Sequence, residues 1–272
     1  MLSQTRRLFE DEEALLALFE DLALAAGRQI MKHYEAGVRV EEKPDASPVT
    51  EADRTAERVI LEGLRGTLAG APCVSEEEAS GGVLPVCGDD GFLLVDPLDG
   101  TREFIERRPD FTVNIALVRE GVPVAGVVYA PARELLYSGR PGSAFEAEIR
   151  AGAIVERRAI HVRPRRVPLT ILASRSHRTK ETDDFIARHP GAEITSIGSS
   201  LKFCMIARGE ADLYPRFGRT MQWDTAAGDA VLRAAGGRTL TLEGMPLTYG
   251  PKGGEGLEAF VNPDFLAEGR AG

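Results

Sequence analysis

Asp96-Pro97-Leu98-Asp99-Gly100-Thr101 places two carboxylates and a hydroxyl within six residues, directly after the apolar run Phe92 to Val95. Two Asp side chains three positions apart repel each other when ionised and desolvated. Their spacing therefore suits a site where protons or cations neutralise them. All the side-chain ligands on offer are oxygens, which favours Mg²⁺, Mn²⁺ or Ca²⁺ over Zn²⁺. The same string is also ordinary turn chemistry, with Pro97 fixing φ and Gly100 accepting a positive φ. Taken alone, it fits a plain turn as well as it fits a metal site. A calcium EF-hand loop does not fit. With Gly100 at the loop's glycine, Val95 and Pro97 fall where oxygen ligands are needed; with Asp96 first, Leu98 and Gly100 take ligand positions and Arg107 stands where the bidentate Glu belongs.

Four other places carry groups of the right chemistry. Ser75-Glu76-Glu77-Glu78 closes an expected strand, although most acidic runs are solvated loops. Trp223-Asp224-Thr225-Ala226-Ala227-Gly228 sets Asp224 before a small-residue helix that it could simply cap. Ser196-Ile197-Gly198-Ser199-Ser200-Leu201-Lys202 opens a helix with a Gly/Ser loop, an arrangement in which backbone N–H groups and the helix dipole hold an anion, with Lys202 adding charge. Asp53 falls at the third position of a helix capped by Thr50, where a carboxylate is stabilised even without a function.

The elements that must position these groups follow from periodicity. Leu15, Leu16, Leu18, Phe19, Leu22, Ile30 and Met31 recur at helical spacing, predicting a long amphipathic helix over about residues 9–36, closed by Gly37. A polar loop from Glu41 to Pro48, carrying Lys43 and Asp45, leads to the helix that Thr50 opens and that runs to about Leu68. From Ala71 the pattern turns to β-like runs at Pro72–Ser75, Phe92–Val95, Phe111–Val118, Val122–Tyr129 and Glu134–Ser138. Residues 152–164, rich in Arg and ending at Pro164, read as a seam between an N-terminal α+β lobe (1–151) and a C-terminal α/β lobe (152–272). Beyond the seam, strand-like and helix-like segments alternate: Leu169–Ala173, Thr179–Arg188, Glu193–Ser196, Ser200–Arg208, Asp212–Tyr214 and Asp224–Ala235. The end, Ala267 to Gly272, is expected to fray.

Composition narrows the function classes. With 272 residues, 43% hydrophobic and 28% charged, the chain has the usage of a globular protein and no low-complexity tract. A formal charge of −9 argues against a general binder of nucleic acid or anionic membranes, but local cations can still reverse the potential of one pocket. Cys73, Cys87 and Cys204 are odd in number and show no CxxC spacing, so neither a disulfide framework nor a zinc site is expected. The opening residues turn acidic after Arg6 and Arg7 without a clean apolar h-region, and no apolar run reaches membrane-span length, which makes the cytoplasm the expected location.

Together the motifs resemble the inositol monophosphatase superfamily of Mg²⁺-dependent, lithium-sensitive phosphatases, and within it the bisphosphate nucleotidases of the CysQ type. The resemblance rests on Ser75-Glu76-Glu77, then Asp96 to Thr101 followed by Glu103-Phe104, then Ser196 to Cys204, then Trp223 to Gly228. Thr112 to Leu117, Val128-Tyr129-Ala130-Pro131, Ser174-Arg175-Ser176-His177 and Leu213 to Gly218 are similar too, so it covers roughly residues 10 to 265. It implies an α/β, layered α+β sugar-phosphatase fold in which helices and sheets alternate, with the metals between two lobes. It makes Glu76, Asp96, Asp99 and Asp224, with the Leu98 carbonyl, the ligands of two or three Mg²⁺ ions, which Mn²⁺ could replace. It also implies that Asp53 and Thr101 orient the attacking water and that Glu76 supports its deprotonation. Gly100 and Thr101, beside Glu76, Leu98, Asp99 and Asp224, would meet the phosphate being cleaved. Ser199, Lys202 and Arg216 would hold a second phosphate, and His177 would flank a base.

The implied reaction is removal of the 3′-phosphate from adenosine 3′,5′-bisphosphate, a by-product of sulfur assimilation, giving AMP and phosphate. Two divalent ions about 3.5–4 Å apart suit such a step, because they activate water and neutralise the leaving oxygen. The stretch Ala79–Asp90 matches no pattern of the family and bears on substrate preference. An inositol or sugar phosphate is the rival substrate. A nucleotide sensor on the same scaffold is the non-enzymatic alternative.

Overall fold

The computed structural model describes residues 11–37, 40–42, 48–88 and 90–270. Helix α1, Glu12–Ala36, starts at Asp11, whose side chain accepts from Ala14 N at 3.0 Å, and buries the stripe Leu15, Phe19, Ala23, Ala26 and Ile30. Short strands β1 (Val40–Glu42) and β2 (Pro48–Thr50) pair antiparallel where a loop was expected from Glu41 onward; the Lys43 stretch lies outside the described residues. Helix α2, Glu51–Thr67, opens with a capping box in which Thr50 Oγ1 accepts from Ala52 N at 3.1 Å and Asp53 Oδ2 accepts from Thr50 N at 2.7 Å.

A seven-stranded sheet follows, in the spatial order of the chain: β3 (Cys73–Ser75), β4 (Phe92–Asp99), β5 (Thr112–Arg119), β6 (Val122–Ala130), β7 (Leu135–Arg140), β8 (Ser143–Arg150) and β9 (Ala153–Ala159). Only the β3–β4 pair is parallel. Two short helices, α3 (Glu76–Ser80) and α4 (Thr101–Ile105), leave the ends of β3 and β4. The run Phe92 to Val95 does not alternate apolar and polar because both faces of β4 are covered. Leu93 and Val95 pack with Leu15, Phe19 and Ile60 of α1 and α2, whereas Phe92 and Leu94 join the core on the other face.

That second face meets α6 (Leu201–Ala207) and α7 (Ala226–Ala234), which separate the sheet from a five-stranded one. Its strands, β10 (Thr170–Ser174), β11 (Glu193–Ile197), β12 (Leu213–Arg216), β13 (Arg238–Thr241) and β14 (Phe265–Glu268), lie in the order β11-β10-β12-β14-β13. Helix α5, Lys180–Ala187, packs beyond them through Phe185 against Phe217. Helices and sheets therefore alternate in layers.

Two expectations need correction. The boundary expected after residue 151 falls at the turn between β8 and β9, and the chain passes from one sheet to the other between Ala159 and Thr170. The first part of the Arg-rich stretch, Ala153–Ala159, is an edge strand whose charges have partners: Arg157 reaches Glu20 and Arg158 reaches Glu146. The expected frayed end contains half of β14, a strand held between β12 and β13, with Ala267 fully buried and Glu268 clasped by Arg165 and Arg238.

Candidate active site

A cavity of about 410 Å³ opens where the C-terminal ends of β3 and β4 face β12 and the turn before α7. Glu76, Asp96, Leu98, Asp99, Gly100, Thr101, His177, Ser199, Lys202, Arg216 and Asp224 all line it. Asp53 sits just behind, with Oδ1 at 3.2 Å from the Thr101 hydroxyl. The structure thus gathers all of the sequence-identified residues, from both sheets, around one space.

Local chain geometry explains the acidic side. The β4–β5 register shifts between Asp96 and Asp99, so Pro97 and Leu98 bulge and both aspartates reach the same space. Leu98 buries its side chain beneath α1 and α2, which leaves its backbone to line the cavity. Gly100 adopts φ 93, and a Cβ there would lie 3.1 Å from the Asp110 carbonyl oxygen, so neither the conformation nor the space suits a side chain. Glu76 is the first residue of α3, directly after β3. Asp224 ends a short 3₁₀ turn, Gln222–Asp224; its Oδ2 accepts from Met221 N at 2.9 Å, and Thr225 rather than Asp224 occupies the cap of α7.

The electrostatics of these carboxylates call for positive charge. Burial pushes the Asp96 carboxyl well above the usual carboxylate range, and the charges of Glu76, Asp99 and Asp224 push it further. Asp224 is raised for the same reasons, by burial and then by Asp99 and Glu76. Asp99 is raised by burial too, opposed by the Lys202 charge and by hydrogen bonds from Ser200. Among the described residues, no three His, Cys, Asp or Glu side chains close tightly enough to cage an ion. Protein donors take up one oxygen on each aspartate: Leu98 N on Asp96 Oδ1 at 3.0 Å, Ser200 N on Asp99 Oδ2 at 2.6 Å, and Met221 N on Asp224 Oδ2. Their other oxygens and the Leu98 carbonyl form an all-oxygen set of the hardness that Mg²⁺ prefers. Buried carboxylates that raise one another's affinity for protons are a donor set suited to divalent cations.

The opposite wall is cationic. Lys202 is buried, lies 5.1 Å from the Tyr214 ring centre, and donates to the carbonyls of Ile197 and Ser199. Burial pulls its pKa down to about 8, while the Asp99 charge opposes the fall. Arg216 spends Nη1 on the His177 carbonyl at 3.2 Å and Nη2 on the Arg219 carbonyl at 3.0 Å. Its buried Nε has no hydrogen-bond partner among the described residues, an orphan donor that an incoming anion would satisfy. Burial, then the charges of Arg216 and Arg102, pull His177 down to about 4, so its ring is neutral at pH 7.

The structure alters one expectation and adds several residues. Ser200 N does not wait for a phosphate, because Asp99 already occupies it; its hydroxyl lies 2.8 Å from Asp99 Oδ2 and 2.6 Å from the Asp224 carbonyl. Asn114 Nδ2 donates to that hydroxyl at 2.9 Å. Asn114 stands opposite Asp96, and Thr112 opposite Asp99, in the β4–β5 ladder. Polar residues at alternate places in the apolar run of β5 were a readable signal that one of its faces meets the site. Glu103 and Asp110 knit the walls together: Ser176 donates to Glu103, and Asp110 receives Arg133 and Arg175.

This geometry has counterparts among known proteins. A model of the inositol monophosphatase family matches residues 11–267. The 3′(2′),5′-bisphosphate nucleotidase CysQ of Escherichia coli is 46% identical over 246 residues, 90% of this chain and 95% of that protein. The protein of the same name from Buchnera aphidicola is 40% identical over 249 residues, 90% of each. Among solved structures, CysQ from Bacteroides thetaiotaomicron, described as a bacterial member of the family, aligns with a TM-score of 0.78 at 36% identity, covering 96% of this chain and 98% of that one. An inositol monophosphatase from Thermotoga maritima shares the fold, with a TM-score of 0.72 at 24% identity, over 92% of this chain and 89% of that one. A match along nearly the whole chain, together with a layered fold that ends in an acidic cavity, shows that this protein belongs to the inositol monophosphatase family.

Proposed function

We propose that the chain is a 3′(2′),5′-bisphosphate nucleotidase that hydrolyses the 3′-phosphate of adenosine 3′,5′-bisphosphate to AMP and phosphate. The observation that carries this reading is one cavity with two chemically opposite walls. Carboxylates line one side, and Lys202, Arg216 and a neutral His177 line the other. An inositol monophosphate offers that second wall neither a second anion nor a base. A nucleotide bisphosphate offers a second anion and a base. The CysQ relatives named above support the same substrate.

The family is generally Mg²⁺-dependent, and the oxygens of Glu76, Asp96, Asp99 and Asp224, with the Leu98 carbonyl, are the groups that would hold two or three Mg²⁺ ions, with Mn²⁺ a feasible substitute. Bound there, the ions would supply Lewis acidity toward the phosphate and toward water. The residues divide the remaining work. Asp53 has Oδ2 occupied by Thr50 N and Oγ1, both at 2.7 Å, so its Oδ1 is aimed at Thr101. With its proton directed to Asp53, the Thr101 hydroxyl presents a lone pair that orients a water hydrogen. Glu76 stands at the same wall to receive the proton that water loses. Lys202 and Arg216 fix the 5′-phosphate, which carries about 1.5 to 2 negative charges, and so align the 3′-phosphate with the acidic wall. A neutral His177 ring can lie against the adenine without repelling Arg216 or Lys202.

We further assign the enzyme to the cytoplasm and to sulfur metabolism, with inhibition by lithium. Among the described residues, no helix is long and apolar enough to cross a membrane. The deciding experiment measures phosphate release with Mg²⁺ on adenosine 3′,5′-bisphosphate and inositol 1-phosphate side by side. A clear preference for the bisphosphate is expected; a preference for inositol 1-phosphate would overturn the assignment.

A further inference from the structure

Helix α2 brings a second carboxylate up behind the acidic wall. Glu57 follows Asp53 by four residues, so the two lie on one face of the helix, and Glu57 is buried with only 8% of its surface exposed. Its Oε1 accepts from the Ser75 hydroxyl, from Glu77 N at 3.0 Å and from Glu78 N at 3.3 Å. Those donors surround Glu76 in the chain, one before it and two after it. Helix α3 begins at Glu76, and Ser75 at its cap position makes no side-chain cap bond of its own. Glu57 therefore supplies, from another helix, the acceptor that the first N–H groups of α3 require.

We propose that Glu57 is a positioning residue: by holding the Ser75 hydroxyl before Glu76 and the Glu77 and Glu78 N–H groups after it, it fixes where that carboxylate points, and so sets the cavity's affinity for Mg²⁺ without touching the ion. The inference rests on the reading of Glu76 as a Mg²⁺ ligand. Burying a carboxylate is costly unless hydrogen bonds hold it, and the three donors that hold Glu57 are all on residues flanking Glu76. The face shared with Asp53 means that α2, as one rigid element, sets both Thr101 through Asp53 and Glu76 through Glu57.

The test is calorimetric titration of the full chain with Mg²⁺ alone, so that binding is read without turnover. Glu57→Ala is expected to weaken Mg²⁺ binding by about 10- to 100-fold, the usual cost of losing a group that orients a ligand. Glu57→Gln keeps an acceptor oxygen and is expected to stay within roughly threefold of the parent. Unchanged affinity in Glu57→Ala, or equal damage in both variants, would overturn the inference. Should Glu57→Ala fail to fold by circular dichroism, Ser75→Ala decides. Loss of one of the bonds should then weaken binding by roughly threefold, and no change would refute the role. Glu76→Gln separates this inference from the reading beneath it: if that variant binds Mg²⁺ normally, it is the ligand assignment that fails.

Discussion

Gly198→Ala tests whether the two walls are held as closely as the structure has them. A Cβ built on Gly198 would lie 2.8 Å from the Asp110 carbonyl oxygen, 2.8 Å from Glu103 Cγ and 2.9 Å from Glu103 Cδ. Ordinary contact begins near 3.4 Å, so the loop or its neighbours must shift by about 0.6 Å. Neither neighbour is free to retreat. The Asp110 carbonyl is backbone, in a residue whose side chain is tied to Arg133 and Arg175, and Glu103 is held by Ser176. The displacement therefore falls on Ser199 and Ser200, and hence on the 2.6 Å bond from Ser200 N to Asp99. Overpacking of this kind costs about 1–3 kcal/mol of stability. If a 1 Å misplacement can cost about 10²-fold in rate, a shift of this size should lower kcat/KM by about tenfold. Urea unfolding and steady-state kinetics on adenosine 3′,5′-bisphosphate would read the two effects. Gly66→Ala is the control, since nothing lies within 4 Å of its Cβ and, one residue from the end of α2, it should leave stability and kcat/KM near the parental values. Parental stability and kcat/KM in Gly198→Ala would refute the close approach.

Three further outcomes are expected. Asp99→Asn keeps an oxygen for Ser200 N and removes a buried charge, so the metal-free protein should melt no lower than the parent, while turnover with Mg²⁺ falls by about 10²- to 10³-fold; near-normal turnover would sink the acidic-wall reading. Asp96 and Asp224 have folded pKa values raised above 3.8, so the stability they contribute is complete below that value and is lost as pH rises through the folded values. Because Mg²⁺ reverses that loss, the gap in Tm between Mg²⁺-bound and metal-free protein should widen from pH 5 to pH 8, and a constant gap would count against the cavity as the binding site. Lys202→Met should raise KM for adenosine 3′,5′-bisphosphate by about 10- to 100-fold yet barely alter hydrolysis of 3′-AMP, which lacks the second phosphate; equal losses on both would remove Lys202 from the 5′-phosphate subsite.

What the sequence made legible, and what it did not, divides along a physical line. Asp96 to Thr101 was readable because one contiguous turn holds its carboxylates, its bulge and its glycine, and local chain geometry alone brings them together. Helices α1 and α2 were readable from periodicity and caps, which are local as well. The second half of β14 was read as part of a fraying end because Phe265–Glu268 is too short to show a pattern, and only the strands on either side of it create its burial. The Arg-rich edge strand β9 looked like a linker because its charges are balanced only in the fold, Arg157 by Glu20 of the distant helix α1 and Arg158 by Glu146 across the β8–β9 pair. The same distinction runs through the site. Ser200, Asn114 and Glu57 gain their importance from bonds that cross between elements, to Asp99, to Ser200 and to the residues flanking Glu76. A motif names the groups that can hold a phosphate or an ion; the groups that aim them are fixed by sheet register and helix packing. Glu57 illustrates the cost of that arrangement, because on α2 it reads as one more acidic helix residue, and only the approach of β3 turns it into the support for Glu76.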